Sequence, residues 1–176
     1  SAMGKTTNAL EQVVSLAQTN QPIKPDMDQL RTYHIEMVNQ LFAENEHIHK
    51  GLEKFFSQIE EEATKKADYD CVYDQVVSKG ELISSFILSH YLSHQGIRNE
   101  WIDAREFIST DDTFREGKVT WEKTESNAQK LHDILKKKII ITQGFIGSTP
   151  EGLTTTLGRE GSDFTAAIFA SGLSAE

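Results

Sequence analysis

The segment Gly158-Arg159-Glu160-Gly161-Ser162-Asp163 gathers the residue types that a small charged ligand needs. Glycines let successive backbone N–H groups turn toward a ligand with no Cβ in the way. Ser162 is placed to cap the helix announced by the apolar run from Ala166 to Ala170, and the unpaired N–H groups of a helix start favour a nearby anion. Arg159 adds a planar fork that suits a carboxylate or phosphate. Asp163, in the first helical turn, can accept from an ammonium. Together they describe a pocket for a zwitterion such as an amino acid. The plainer reading, a helix cap beside a solvent-facing arginine, fits the same letters. Glu160 is expected to face out of any such pocket.

A second candidate is Ser78-Lys79-Gly80-Glu81, between a short apolar stretch and a helical pattern. A carboxylate at a helix start often only complements the helix dipole. It gains meaning if Glu81 and Arg159 share the crevice at the carboxyl ends of sheet strands. Ser1 and Thr7 precede another helix start as possible hydroxyl donors. Gly4-Lys5-Thr6-Thr7 imitates the end of a phosphate loop, but lacks the glycine four positions earlier and the preceding strand. His90 and His94 stand one turn apart without a third ligand, so no metal site is expected. Cys71 reads as a small buried apolar group, and Trp101 and Trp121 as packing residues.

These residues need elements to hold them. Apolar periodicity predicts helices over 8–18, 30–42, 46–66, 82–95 and 163–172, and a charged amphipathic helix from 120 or 122 to 138. Residues 19–28, with both early prolines, read as a loop. Gly51 inside the third helix costs roughly 1 kcal/mol against alanine. Residues 71–77 read as strand-like although Asp74 and Gln75 interrupt them; 97–102 and 139–142 read as strands, the latter buried. This order predicts an α/β fold: a mainly parallel sheet covered by helices on both faces, incomplete, with a helical excursion at about 26–66.

With 176 residues, the chain has the length of one domain with a real core. Its 27 acidic and 18 basic side chains give a net charge of −9, which repels phosphate backbones and argues against nucleic acid. Lys136-Lys137-Lys138 reads as the solvated end of a helix. A single cysteine excludes an internal disulfide and suits the cytoplasm. No run approaches the ~20 apolar residues of a membrane span.

Read together, the motifs resemble aspartate kinase, of the amino-acid kinase superfamily. Ser1-Ala2-Met3 through Thr7-Asn8, Val77-Ser78-Lys79-Gly80-Glu81, Ile102-Asp103-Ala104, and Gln143-Gly144-Phe145-Ile146-Gly147 leading into Thr155-Thr156-Leu157-Gly158-Arg159-Glu160-Gly161-Ser162-Asp163 occur in the family's order. The resemblance implies transfer of the γ-phosphoryl of ATP, with Mg, to the side-chain carboxylate of L-aspartate. It implies that Arg159 clamps the α-carboxylate, Glu81 holds the α-ammonium, Asp163 supports that end, and Ser1 and Thr7 donate to the reacting carboxylate.

The family also has a Lys-Phe-Gly-Gly loop ahead of this point and a nucleotide-binding carboxyl-terminal lobe, so the phosphate-contacting lysines are absent here. Residues 1–176 are therefore expected to be one partial kinase domain, the substrate lobe of a longer cytoplasmic enzyme. Alone it should be inactive, with no ATP, Mg or metal bound. Its missing-strand edge is a place for self-association. A non-catalytic binding or assembly module, or a kinase for another amino acid, is the alternative.

Overall fold

Five helices come first in the computed structural model, which describes residues 1–175: α1 (Thr6–Gln18), α2 (Lys24–Leu41), α3 (Glu46–Ala63), α4 (Tyr69–Val77) and α5 (Lys79–His94). Apolar residues three and four apart send one stripe of each into a shared core. Leu10, Val13 and Val14 come from α1, Leu30 and Val38 from α2, and Ile48, Leu52, Phe56 and Ile59 from α3. Val72 and Val76 of α4 and Ile83 and Ile87 of α5 close it. Each such side chain contributes roughly 1.5–3 kcal/mol when fully buried. The two other apolar clusters hold three buried residues each, so the helical core carries most of this term. The helical excursion expected at about 26–66 is α2 and α3.

Two boundaries differ from the sequence reading for simple reasons. α2 begins at Lys24, inside the expected loop, because Pro25 sits in its first turn, where a missing N–H costs nothing. The stretch 71–77 is helical, not strand-like. Asp68 caps α4 by accepting from Asp70 N–H at 3.0 Å, and Val72 with Val76 and Tyr73 with Val77 form i, i+4 buried pairs. Ser78 keeps helical angles, so Ser78–Glu81 is a helix junction and not a loop after a strand.

The remaining elements are short. β1 (Asn99–Trp101) pairs in parallel with β2 (Ile139–Ile141), register Asn99 to Ile139. β3 (Ile146–Ser148) pairs antiparallel with β4 (Thr154–Thr156), and Ser109 bridges in parallel to Ser148. A 3-10 turn (Ala104–Glu106) follows β1. The fold is thus α/β and incomplete, as expected, with open two-stranded sheets flanked by helices, one parallel and one antiparallel where a mainly parallel sheet was expected. The predicted helix to 138 breaks at Lys130-Leu131 into α6 (Trp121–Gln129) and α7 (His132–Leu135). The 139–142 strand is not buried: Ile139 is 52% exposed on a two-stranded sheet. α8 (Gly161–Gly172) closes the described chain. Among the described residues no helix is long and apolar enough to cross a membrane.

Two predictions come from this packing. Gly51 of α3 faces Phe86, and a Cβ there would run into the ring edge. Phe86 is itself boxed by Phe55, His90 and Trp101. Overpacking costs about 1–3 kcal/mol and outweighs the ~1 kcal/mol that alanine gains in helix propensity. Gly51→Ala should therefore lower the urea midpoint, and a raised midpoint would show that the ring moves freely.

Lys79 is only 6% exposed, and burial followed by the Arg105 guanidinium pushes its ammonium from 10.5 down to about 8. At pH 7 it is buried and charged, so folding bears a penalty on the order of 3 kcal/mol. The penalty fades as pH rises from about 8 to 10.5, where only the unfolded chain still binds the proton. Lys79→Met should be more stable than the parent at pH 7, with the difference shrinking by pH 10. Urea unfolding of both at the two pH values checks it; a gap that widens with pH contradicts it.

Candidate functional site

α5 sets one wall of the site. It is buried on several faces, through Leu82, Ile83, Ile87 and its serines, so its first turn is fixed by core packing. Ser85 accepts from Trp101 Nε1 at 2.9 Å and from Gln143 Nε2 at 2.8 Å, which ties the helix to β1 and to the segment before β3. Glu81, in that first turn, is 6% exposed. Its Oε1 accepts from Ala2 N–H at 2.8 Å, and its Oε2 lies 3.0 Å from the Ser1 backbone nitrogen. The carboxylate therefore already faces nitrogen donors, at the favourable end of a helix dipole.

The opposite wall is the turn between β4 and α8. Gly158 has φ +74°, and a Cβ on Gly161 would press on Phe145 Cδ2 at 2.7 Å. A side chain is therefore strained at Gly158 and sterically blocked at Gly161. Glu160 precedes α8 in the left-handed region, with φ +59°. Ser162 does not cap the helix as expected; it lies within its first turn, and its Oγ accepts from Ser1 Oγ at 3.4 Å. Arg159 and Asp163 stand exposed at the rim.

These walls flank one open cavity of about 480 Å³. Ser1, Thr7, Glu81, Arg159 and Asp163 all line it, together with Phe145, Ser162 and the glycines. All five residues proposed from sequence therefore meet, although they come from the start of α1, the start of α5 and the start of α8. Glu160, expected to face away, is solvent-exposed but contributes to the cavity wall. Asp103 of the third motif lies elsewhere: it accepts from Arg105 N–H at 3.0 Å and pairs with the Arg105 side chain, which also donates to Thr154 Oγ1 at 3.1 Å.

Phe145 was not singled out as a site residue. Its backbone is left-handed, at φ +73°, an uncommon state for an aromatic residue. Two bonds hold it: Phe145 N–H donates to Thr165 Oγ1 at 2.9 Å, and its carbonyl accepts from Leu157 N–H at 2.8 Å. The neighbouring Gly144 was the available signal.

A smaller cavity of about 320 Å³ adjoins the first and shares Phe145, Gly158 and Arg159 with it. Its far side is Tyr73, Arg115, Glu116 and Thr156. The Arg115 guanidinium lies 4.3 Å from the Tyr73 ring centre. Behind Thr156 sits Asp74, fully buried, which accepts from Arg115 N–H and Thr156 N–H at 2.8 Å and from Thr156 Oγ1 at 2.7 Å. Burial raises the Asp74 carboxyl above the ordinary carboxylate value, against the lowering effect of these donors.

The large cavity offers one guanidinium against three carboxylates: Arg159 beside Glu81, Glu160 and Asp163. That set fits a ligand carrying both an ammonium and a carboxylate. It does not fit the triphosphate of a nucleotide, which calls for several cations.

The amino acid kinase family pattern matches residues 1–176. The chain is 34% identical over 180 residues to the lysine-sensitive aspartokinase 3 of Escherichia coli, covering 99% of this chain and 39% of that protein. It is also 34% identical over 175 residues to the chloroplastic aspartokinase 1 of Arabidopsis thaliana, covering 94% and 31%. The crystal structure of E. coli aspartokinase III with aspartate and ADP superposes with a TM-score of 0.89 at 31% identity, over 99% of this chain and 39% of that one. The same enzyme with lysine and aspartate gives 0.90. The chain thus spans between about three tenths and two fifths of the length of these relatives. A match that runs from residue 1 to residue 176, with a fold that overlays on solved enzymes across nearly all of it, shows that the chain belongs to the amino acid kinase family.

Proposed function

We propose that this chain is the amino-terminal, aspartate-binding lobe of an ATP- and Mg-dependent kinase. That enzyme would phosphorylate the side-chain carboxylate of L-aspartate, giving 4-phospho-L-aspartate for amino-acid biosynthesis in the cytoplasm. The observation that supports it best is the convergence of Ser1, Thr7, Glu81, Arg159 and Asp163 on one cavity. Arg159 would grip the α-carboxylate with its two-pronged fork, and Glu81 would hold the α-ammonium. Asp163 would support that end of the pocket. Ser1 and Thr7 would donate to the side-chain carboxylate that reacts.

The chemistry suits this division of labour. A carboxylate nucleophile is already ionised at neutral pH, so the pocket needs no general base. Its task is orientation, by holding the ligand so that one carboxylate oxygen is free and aimed. Nucleotide binding lies with the remainder of the longer protein, because the lining residues do not fit it.

Titration calorimetry tests the reading. The chain should take up L-aspartate and discriminate against L-glutamate. Arg159→Ala and Glu81→Gln should each weaken L-aspartate binding by about 2–3 kcal/mol, the range for losing a charged hydrogen-bond partner. Phosphoryl transfer to L-aspartate should be found in the longer protein and be absent from the 176-residue chain. Tighter uptake of L-glutamate, or transfer by the chain alone above a blank, would defeat the respective part.

Self-association is a further part of the proposal. The β1–β2 sheet has two strands, with Ile139 of β2 52% exposed and Ile97, just before β1, 40% exposed. Such an edge can take up another strand. Light scattering after size exclusion should give a mass above one chain that returns to one chain in Ile139→Lys. A monomer at all concentrations speaks against it.

A further inference from the structure

β4 has a strand on one side only. On its outer edge, where another strand would pair, side chains of α4 take over. Gln75 holds the beginning of β4: its Nε2 donates to Thr154 O at 2.8 Å and its Oε1 accepts from Thr154 N–H at 3.0 Å. Asp74 holds the end, through Thr156 N–H and Thr156 Oγ1. The same carboxylate accepts from Arg115 N–H, in a loop that closes on itself where Asp111 accepts from Thr113 and Lys118 N–H. That loop also joins β4 directly, since Gly117 N–H donates to Thr156 O at 2.9 Å.

Gly158 rests on this assembly. A Cβ on Gly158 would come within 3.3 Å of Arg115 O. Arg115 and Gly158 are both left-handed, at φ +68° and +74°. For Arg115 that conformation is unfavourable and must be held by its surroundings. Arg159 is the next residue along.

We infer that Asp74 is a positioning residue for the amino-acid cavity. Its one buried carboxylate ties the 111–118 loop and the end of β4 to α4, and thereby fixes Gly158 and Arg159 where they face the ligand. Asp74 touches no ligand itself; it acts through Arg115 and Thr156. The identity of that ligand rests on the function proposed above, but the placement of Gly158 and Arg159 does not.

The test compares Asp74→Asn with Gln75→Ala in the full chain, first without ligand. An amide side chain keeps the shape of Asp74, but it carries no charge and forces the Thr156 hydroxyl to turn from donor to acceptor, so all three bonds are weakened. Amide hydrogen exchange followed by mass spectrometry should accelerate about tenfold over residues 156–161 in Asp74→Asn. In Gln75→Ala the acceleration should stay within 153–155. L-Aspartate affinity, measured well below the melting temperature, should fall about tenfold in the first variant and stay within twofold in the second. Thr156→Val, which removes only the hydroxyl donor, should produce a smaller acceleration over the same segment and serves if Asp74→Asn fails to fold.

Unchanged exchange over 156–161 in both Asp74→Asn and Thr156→Val overturns the inference. So does an equal loss of affinity in Gln75→Ala. If exchange responds as expected but the parent chain takes up no L-aspartate, the positioning role stands and the ligand assignment fails.

Discussion

Everything at the site depends on α5 having no freedom to move. Its apolar residues are buried on more than one face, and its serines satisfy their hydroxyls inside, as when Ser84 and Ser85 donate to Glu81 O. A helix packed this way cannot rotate without opening the helical core, where each large side chain is worth roughly 1.5–3 kcal/mol. Glu81, in its first turn, is therefore a fixed negative charge. The opposite wall is held differently: glycines let the chain turn sharply there, and Asp74 with the 111–118 loop braces the strand end that leads into the turn. The site joins an acid fixed by core packing to a guanidinium carried on a braced turn.

That division explains what the sequence disclosed. Gly158 to Asp163 was legible because glycines at a helix start have few other uses, and Arg159 and Asp163 were assigned to the pocket they line. Glu81 was legible as a charge at a helix start; its sharing a crevice with Arg159, 78 positions on, was raised from the expected place of both motifs at strand ends, and the family resemblance added the roles. The helices 8–18, 30–42 and 46–66 were readable because a long apolar stripe has few rival explanations.

Failures fell where tertiary bonds outweighed local pattern. Asp74 and Gln75 looked like interruptions of a strand. They are polar because they replace the missing neighbour of β4, a role that no window around residue 74 reveals. The capping aspartate Asp68 was the overlooked local sign. Ser162 has the right type for a cap, yet the left-handed turn at Glu160 starts α8 earlier and carries Ser162 into the first turn. Gly51 looked like a weakness in α3 until its contact with Phe86 became visible.

Backbone strain follows the same geography. Among the described residues, three of the five non-glycine positions with left-handed backbone, Arg115, Phe145 and Glu160, line the two adjoining cavities, while Asn20 and Ser174 follow the ends of α1 and α8. Each such residue costs of order 1–3 kcal/mol unless its surroundings hold it. Phe145 is held by Thr165 and Leu157, and Arg115 by Asp74. Glu160 starts a helix whose Phe164 N–H donates back to its carbonyl at 3.1 Å. Relaxing any one of them would disturb the wall that Arg159 shares. A cavity for a ligand of opposite charges needs those charges at a set spacing, and this protein sets it by bracing a strained turn against an immobile helix.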